Sequence, residues 1–301
     1  MNAVVASGLG RRYGKAWALQ DCSFEIPSGR ISALVGPNGA GKTTLLHLAT
    51  GLASPTSGSI AVLGQRPDTD RAVMARIGFV AQDVPLYRSF TVGEMLRFGK
   101  ELNASWDEDF AKRRIEQLGL GMDKRVGDMS GGQRAQLSLT LALGKRPEVL
   151  FLDEPLASLD PLARRDFLRV LMETVAETGL TVVLSSHLIT DLERVCDHLI
   201  VLSASRAQVV GDIDDLLACH RLVTGPRASM DRLGETVSAV QETSTDRQAT
   251  IFARVNGPIL DPAITVDEVG LDDLVIAYLG SPGASSLPAP RLTLQSAGAR
   301  S

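Results

Sequence analysis

Gly36-Pro-Asn-Gly-Ala-Gly-Lys-Thr-Thr44 is the stretch that decides the fold. It reads G-x-x-x-x-G-K-T, the phosphate-binding (Walker A) loop pattern. Gly36, Gly39 and Gly41 let the backbone turn tightly enough for its N–H groups to converge on phosphate oxygens, with Pro37, Asn38 and Ala40 filling the positions between them. Lys42 can reach β- and γ-phosphates as a point charge, and the Thr43 hydroxyl can ligate Mg²⁺. Residues 31–35 before the loop are an apolar run that predicts a buried strand, and 42–50 predict a helix ended by Gly51. The loop then sits at a helix N-terminus, where free N–H groups and the dipole favour anions. At average composition the pattern arises by chance in about one chain of this length in a hundred, and the strand–loop–helix context lowers that further.

The chain has 301 residues, enough for one large domain with or without a small one. Hydrophobic residues make up 44 % and charged ones 22 %, the balance of a globular protein with a sizeable core. A net charge of −4 exerts no global pull on nucleic acid or anionic lipid, and aromatics at 4 % are too few for base-stacking platforms. Cys22, Cys196 and Cys219 form no C-x-x-C pair, and the expectation is buried thiols in a reducing compartment. The N-terminus has no secretory pattern and no apolar run reaches the 18 or so residues of a membrane helix, so a membrane role needs a span from another chain.

Outward from the loop, residues 4–9 and 21–26 predict strands, with Tyr13 in the basic turn between them. Residues 54–58 predict a turn, and 60–63 and 77–81 strands, the latter ending at Gln82. From 83 to 146 the pattern turns helical. Thr91 and Glu94 make a capping box, a second helix is expected over 106–118, and Ser130 and Gln133 make a second capping box. Gly131 and Gly132 in that first turn cost about 1 kcal/mol each against Ala, which points to close approach by another group, an anion being one candidate.

Residues 148–155 read as the clearest strand, with four consecutive apolar residues suited to burial on both faces. Asp153 and Glu154 stand at its carboxyl end, where open α/β sheets place ligands, and strand alternation sends them in different directions. Asp153 can serve Mg²⁺ while Glu154 faces an attacking water. Asp160-Pro161 starts a helix, residues 181–184 form another buried strand, and His187 follows at the same sheet edge. Strands at 198–202 and 207–210 close this part. Beyond 212, alternating runs at 236–240, 250–255 and 264–269 precede an amphipathic helix over 271–279, a small α+β appendage. Residues 281–301, rich in Ser, Pro, Ala and Gly, are expected to be disordered.

As an ordered set over residues 3–212, these motifs resemble the ATP-binding cassette ATPases, the nucleotide-binding subunits of ABC transporters. Tyr13 matches the aromatic that stacks on adenine, Gly36 to Thr44 Walker A, and Gln82 the Q-loop glutamine that contacts Mg²⁺ and water and senses the membrane subunit. Ser130, Gly131, Gly132 and Gln133 match the family signature and residues 149–154 Walker B. Ser158-Leu-Asp160 matches the D-loop and His187 the switch histidine. The resemblance implies an α/β fold: a P-loop NTPase RecA-like core, an antiparallel β subdomain and a helical signature subdomain. The expected division is 1–211 for the nucleotide-binding domain, with its helical part at about 83–146, then 212–280 for the appendage and 281–301 for the tail. It further implies ATP and Mg²⁺ as cofactors and head-to-tail pairing of two cassettes, as a homodimer or paralogous heterodimer. In that pairing the Ser130 helix end contacts the γ-phosphate held by the partner's loop, and Asp160 of the D-loop counts among the nucleotide-binding residues. Met129, Leu156, Ser158 and Ser203-Ala-Ser205 depart from common family residues without removing a catalytic group.

The function implied is an ATPase that energises a separate membrane permease from the inner face of the cell membrane. Glu154 would position the attacking water, with Lys42, Gln82 and His187 as the other catalytic groups. The cassette and the ending at 267–279 resemble bacterial exporter ATPases, so export is expected over import. A cassette ATPase working on nucleic acid or ribosomes is the alternative, but the chain shows no second cassette, coiled-coil insertion or basic arm, and no nucleic-acid partner is expected. A nucleotide sensor without hydrolysis is a third, opposed by Glu154 and His187.

Overall fold

The structure is a computed structural model and describes residues 1–157, 159–186 and 189–287. The expectations placed on Ser158, on His187 and on 288–301 lie outside the described residues.

From the N-terminus, β1 (Asn2–Tyr13) and β2 (Ala16–Pro27) pair antiparallel. β3 (Ile31–Val35) leads through the phosphate loop into α1 (Lys42–Ala49), and β4 (Ser57–Val62) pairs with β1. A short helix α2 (Arg71–Ala75), capped by Asp70, precedes β5 (Ile77–Val80). The helices α3 (Val92–Leu102), α4 (Glu108–Gln117) and α5 (Gly131–Gly144) follow. Then come β6 (Val149–Leu152), α6 (Pro161–Thr178), β7 (Thr181–Ser185), α7 (Ile189–Leu192), β8 (His198–Ser203) and β9 (Arg206–Asp212). The remainder is α8 (Ile213–Cys219), β10 (His220–Pro226), α9 (Arg227–Met230), β11 (Val237–Ser244), β12 (Gln248–Val255), β13 (Thr265–Asp267) and α10 (Leu271–Gly280).

The central sheet has the order β5-β6-β7-β3-β8-β9, parallel except for the edge strand β9. Its strands are covered on both faces, as their apolar runs require. Alternate residues divide between two cores. Leu34, Phe151, Val183 and Ile200 pack with α1 and the sheet β2-β1-β4. Ala33, Leu152, Leu184 and Val201 pack on the other side with Leu139 of α5 and Phe167 and Leu171 of α6. A third cluster, with Val92, Met95, Leu96, Ile115 and Leu137, holds α3, α4 and α5 together. Arg114 of α4, 3 % exposed, ties this group to α6 by donating to Asp166 Oδ2 at 2.7 Å.

Several expectations are corrected in detail. β1 and β2 run 12 residues each, longer than their alternating stretches, because bulges interrupt the period-two pattern. Tyr13 is the last residue of β1, and the turn itself is Gly14-Lys15. The helix expected from 106 starts at Glu108, with Asp107 as its cap. α2, α8 and β10 were not foreseen: two are short helices, and β10 has the burial of a central strand without clean alternation. The turn Ala204-Ser205 takes positive φ at both residues, 47° and 66°, without glycine. Its strain is offset where Ser205 O accepts from Gln20 N at 2.7 Å and Ser205 Oγ donates to Trp17 O at 2.8 Å.

The C-terminal sheet has the order β11-β12-β10-β13. One side keeps a small cluster of its own with Val223, Met230 and Ile251. α10 instead buries Leu271, Leu274, Val275 and Tyr278 in the same core as the central sheet. His220 of β10 is fully buried there; its Nδ1 lies 2.6 Å from Leu216 O and its Nε2 2.8 Å from Tyr278 Oη. Order persists past the expected start of the tail. Ser286 pairs with Val209 of β9, and Gln208 Nε2 donates to the carbonyls of Tyr278, Ser281 and Ala284. Burial raises the Cys22 and Cys196 thiols above their ordinary pKa, as suits buried packing residues, whereas Cys219, also expected to be buried, is only partly so.

Candidate functional site

The carboxyl ends of β5, β6, β7 and β3 lie side by side, and the loops leaving them carry Gln82, Asp153 with Glu154, Ser186 and the phosphate loop. That juxtaposition follows from parallel pairing, which brings all these strand ends to one edge. A cleft of about 700 Å³ opens there, lined by Tyr13, Ala18, Gly36, Pro37, Asn38, Gly39, Gly41, Lys42, Thr43, Thr44, Gln82 and Glu154. Ala40 is buried inside the loop.

The loop geometry explains its glycines. A Cβ on Gly36 would stand 2.4 Å from Leu202 O, and one on Gly41, at φ +106°, 2.4 Å from Ala18 O. Gly41 is also the residue before α1, so the amide groups of the helix start face the cleft rather than a side-chain cap. Lys42, 7 % exposed, donates to Gly36 O at 2.8 Å and has its Nζ 3.4 Å from Glu154 Oε1. The ammonium thus closes the loop on itself and reaches the end of β6.

At the end of β6 the two carboxylates part. Asp153 is buried, and its Oδ1 accepts from Ser185 Oγ at 2.7 Å. Glu154 takes φ +46°, a left-handed conformation unusual for a residue with a Cβ, and its N–H donates to the same Ser185 Oγ at 2.9 Å. On the far side of the cleft Tyr13 is half exposed, with the Arg11 guanidinium 4.8 Å from its ring centroid.

Other residues singled out by sequence lie elsewhere. Ser130 and Gln133 make the reciprocal capping box at the start of α5: Ser130 Oγ accepts from Gln133 N and Gln133 Oε1 from Ser130 N, each at 3.1 Å. Neither they nor Gly131 and Gly132 line the cleft. A Cβ on Gly132 would come only within 3.4 Å of Leu159, ordinary contact, so among the described residues nothing demands a glycine there. Asp160 caps α6, its Oδ1 accepting from Leu162 N at 3.0 Å and Ala163 N at 2.9 Å. Sequence reasoning missed Ala18, which no motif marks, and Ser185, whose strand-end position beside the carboxylates was the available signal.

A metal fits this donor set. Thr43 and Gln82 line the cleft, and the Asp153 carboxylate, buried and not itself part of the lining, directly precedes the lining residue Glu154 in sequence. Among the described residues no group of three His, Cys, Asp or Glu side chains is placed to hold a metal. Mg²⁺, which takes one or two carboxylates and completes its shell with phosphates and water, suits such a sparse set.

The profile of the family described as ABC transporter matches residues 19–157. A sulfate/thiosulfate import ATP-binding protein of Agrobacterium fabrum is 36 % identical over 223 residues, 71 % of this chain and 64 % of its own length. A Nod factor export ATP-binding protein of Rhizobium johnstonii is 39 % identical over 215 residues, 68 % of this chain and 67 % of its own length. The matches thus span about two thirds of these relatives, one named for import and the other for export. Among solved structures, cbiO1 from Clostridium perfringens, described as part of the ABC transporter complex cbiONQ, is 28 % identical. It superposes with a TM-score of 0.62, covering 72 % of this chain and 91 % of that one.

Proposed function

The chain belongs to the ATP-binding cassette family of ABC transporters, and on that premise we propose that it binds and hydrolyses ATP to energise a separate membrane permease. The observation that carries the chemistry is the single cleft joining the phosphate loop, Lys42, Glu154, Gln82 and Tyr13. Tyr13 stacks on the adenine. Loop N–H groups and Lys42 hold the phosphates and stabilise charge that develops on the transferred group. Thr43, Asp153 and Gln82 would hold Mg²⁺, which would supply further neutralisation of phosphate charge. Glu154 accepts a hydrogen bond from the attacking water, and His187 is assigned to the γ-phosphate from the motif alone.

The working unit is a dimer of cassettes. Ser130 to Gln133 lie outside the cleft of their own chain, and the glycine at 132 answers to no contact among the described residues. Both features suit a helix start that meets the nucleotide of a second copy. The permease reading draws on the relatives' names and on cbiO1 being part of a transporter complex. No helix among the described residues is long and apolar enough to cross a membrane, so the span comes from the partner and the cassette sits on the inner face of the membrane. Residues 1–211 form the nucleotide-binding domain in this reading, and 212–280 an appendage that supports dimerisation or regulation. Export is our reading of direction, from the exporter-like cassette and C-terminal ending; transport assays in inside-out vesicles with the co-purified permease test it.

The Glu154→Gln variant tests the chemistry. It should bind ATP with near-parental affinity, lose hydrolysis and accumulate as an ATP-bound dimer in light scattering. Parental turnover by Glu154→Gln would remove Glu154 from the chemistry.

A further inference from the structure

We propose that the Ser185 hydroxyl is a positioning group that holds Asp153 and Glu154 in their separate orientations. The inference rests on the ATPase reading above and adds to it a residue outside the recognised motifs.

Ser185 is the last residue of β7 and is fully buried, with β6 on one side and β3 on the other. Its single proton goes to Asp153 Oδ1, at 2.7 Å, and a lone pair takes the N–H of Glu154, at 2.9 Å. One hydroxyl therefore contacts two successive residues of the opposite strand end, the side chain of the first and the backbone of the second. An alanine offers neither bond.

What these bonds accomplish follows from the backbone. Glu154 sits at φ +46°. For a residue with a Cβ that region costs about 1–2 kcal/mol and persists only where surrounding contacts over-determine it. The left-handed turn takes Glu154 out of the strand's alternation, and its carboxylate stands 3.4 Å from Lys42 while Asp153 stays buried beneath. The Ser185–Glu154 bond is a restraint from a neighbouring strand that holds the turn. The Ser185–Asp153 bond occupies one carboxylate oxygen and so orients the other. Because Ser185 ends β7, a shift of that strand is transmitted through it to both carboxylates.

The test uses the full-length chain and Ser185→Ala, Ser185→Cys and Ser185→Thr. Steady-state ATP hydrolysis yields kcat and KM, and titration of a fluorescent ATP analogue against Mg²⁺ yields the metal dependence of binding without turnover. In Ser185→Ala and Ser185→Cys kcat should fall about tenfold, the loss expected when two buried hydrogen bonds at a charged centre go unmade. KM for ATP should stay within about twofold, because the phosphate loop is untouched, while half-maximal Mg²⁺ for binding rises severalfold. Ser185→Thr, which returns the hydroxyl, should recover most of the rate. The cysteine variant keeps the volume and carries only a weak donor and acceptor, so it reads the bond even if the alanine variant fails to fold. Parental kcat and Mg²⁺ dependence in Ser185→Cys, alongside an inactive Glu154→Gln, would overturn this inference and leave the ATPase reading standing. Parental hydrolysis by Glu154→Gln would overturn both.

Discussion

The Nζ of Lys42 lies 3.4 Å from Oε1 of Glu154, and both side chains are nearly excluded from water. This pair links the phosphate loop after β3 to the end of β6, two segments that the chain separates by more than a hundred residues. Lys42→Ala removes the charge that meets the phosphates and also takes the ammonium away from Glu154. A charge-assisted hydrogen bond contributes about 1.5–3 kcal/mol, so ATP affinity should fall about tenfold to a hundredfold in equilibrium titration. Unchanged affinity would remove Lys42 from the binding site.

The phosphate loop should rank its glycines. Gly41→Ala places a Cβ 2.4 Å from the Ala18 carbonyl at φ +106°, whereas a Cβ on Gly39 meets none of the described residues within 4 Å and is strained by φ +82°. Gly39→Ala should cost about 1–2 kcal/mol of stability, the left-handed penalty alone. Gly41→Ala should cost more and weaken nucleotide binding, since β2 or the loop must move. Chemical denaturation and nucleotide titration of the two variants check the order.

Arg114 is the buried half of an ion pair with Asp166 and also donates to Gln136 Oε1 at 2.8 Å. Arg114→Ala removes the guanidinium from Gln136 Oε1 and Asp166 Oδ2, although Asp166 keeps Arg169 and Gln136 Nε2 as donors. Breaking a buried pair costs about 3–5 kcal/mol, and the partial exposure of Asp166 sets the expectation at the lower end. A fall of several degrees in thermal midpoint is expected, with faster hydrogen exchange in α4 and α5 than in β6. Uniform exchange changes would show that the pair does not hold this boundary.

Acid should destabilise the chain through two buried histidines. Burial lowers His198 to about 4, with Asp212 opposing and Arg30 adding to the shift; burial also lowers His220, flanked by Arg254 and Arg221. Below the unfolded value of about 6.5 the unfolded chain takes up protons that the folded chain refuses, so stability is full above that value and is lost as pH falls from there towards 4. Between pH 7 and pH 5 His198 alone should account for about 2 kcal/mol. Denaturation at the two pH values, with and without His198→Asn, measures it; an equal loss in the variant assigns the effect elsewhere.

The C-terminal third shows where reading by pattern stopped. The strands at β11 and β12 and the helix α10 were legible from alternation and amphipathicity. What α10 packs against was not, since a stripe of Leu271, Leu274, Val275 and Tyr278 announces burial and no partner. β10, between β12 and β13, was missed because its burial does not alternate. Its most informative residue, His220, has its partners 4 and 58 positions away in sequence.

The sequence by itself determined the phosphate loop, the strand before it, the helix caps at Thr91, Ser130 and Asp160, and the paired carboxylates of Asp153 and Glu154. Each is a local signal, set by glycine conformation, side-chain capping or hydrophobic period within a few residues. Only the tertiary structure decided which of these meet. It brought Tyr13, Gln82, Lys42 and Glu154 to one cleft and left Ser130 to Gln133 outside it. It also revealed Ser185 between the carboxylates. Strand order and parallel pairing make those choices, and they depend on contacts between distant segments that no local pattern encodes.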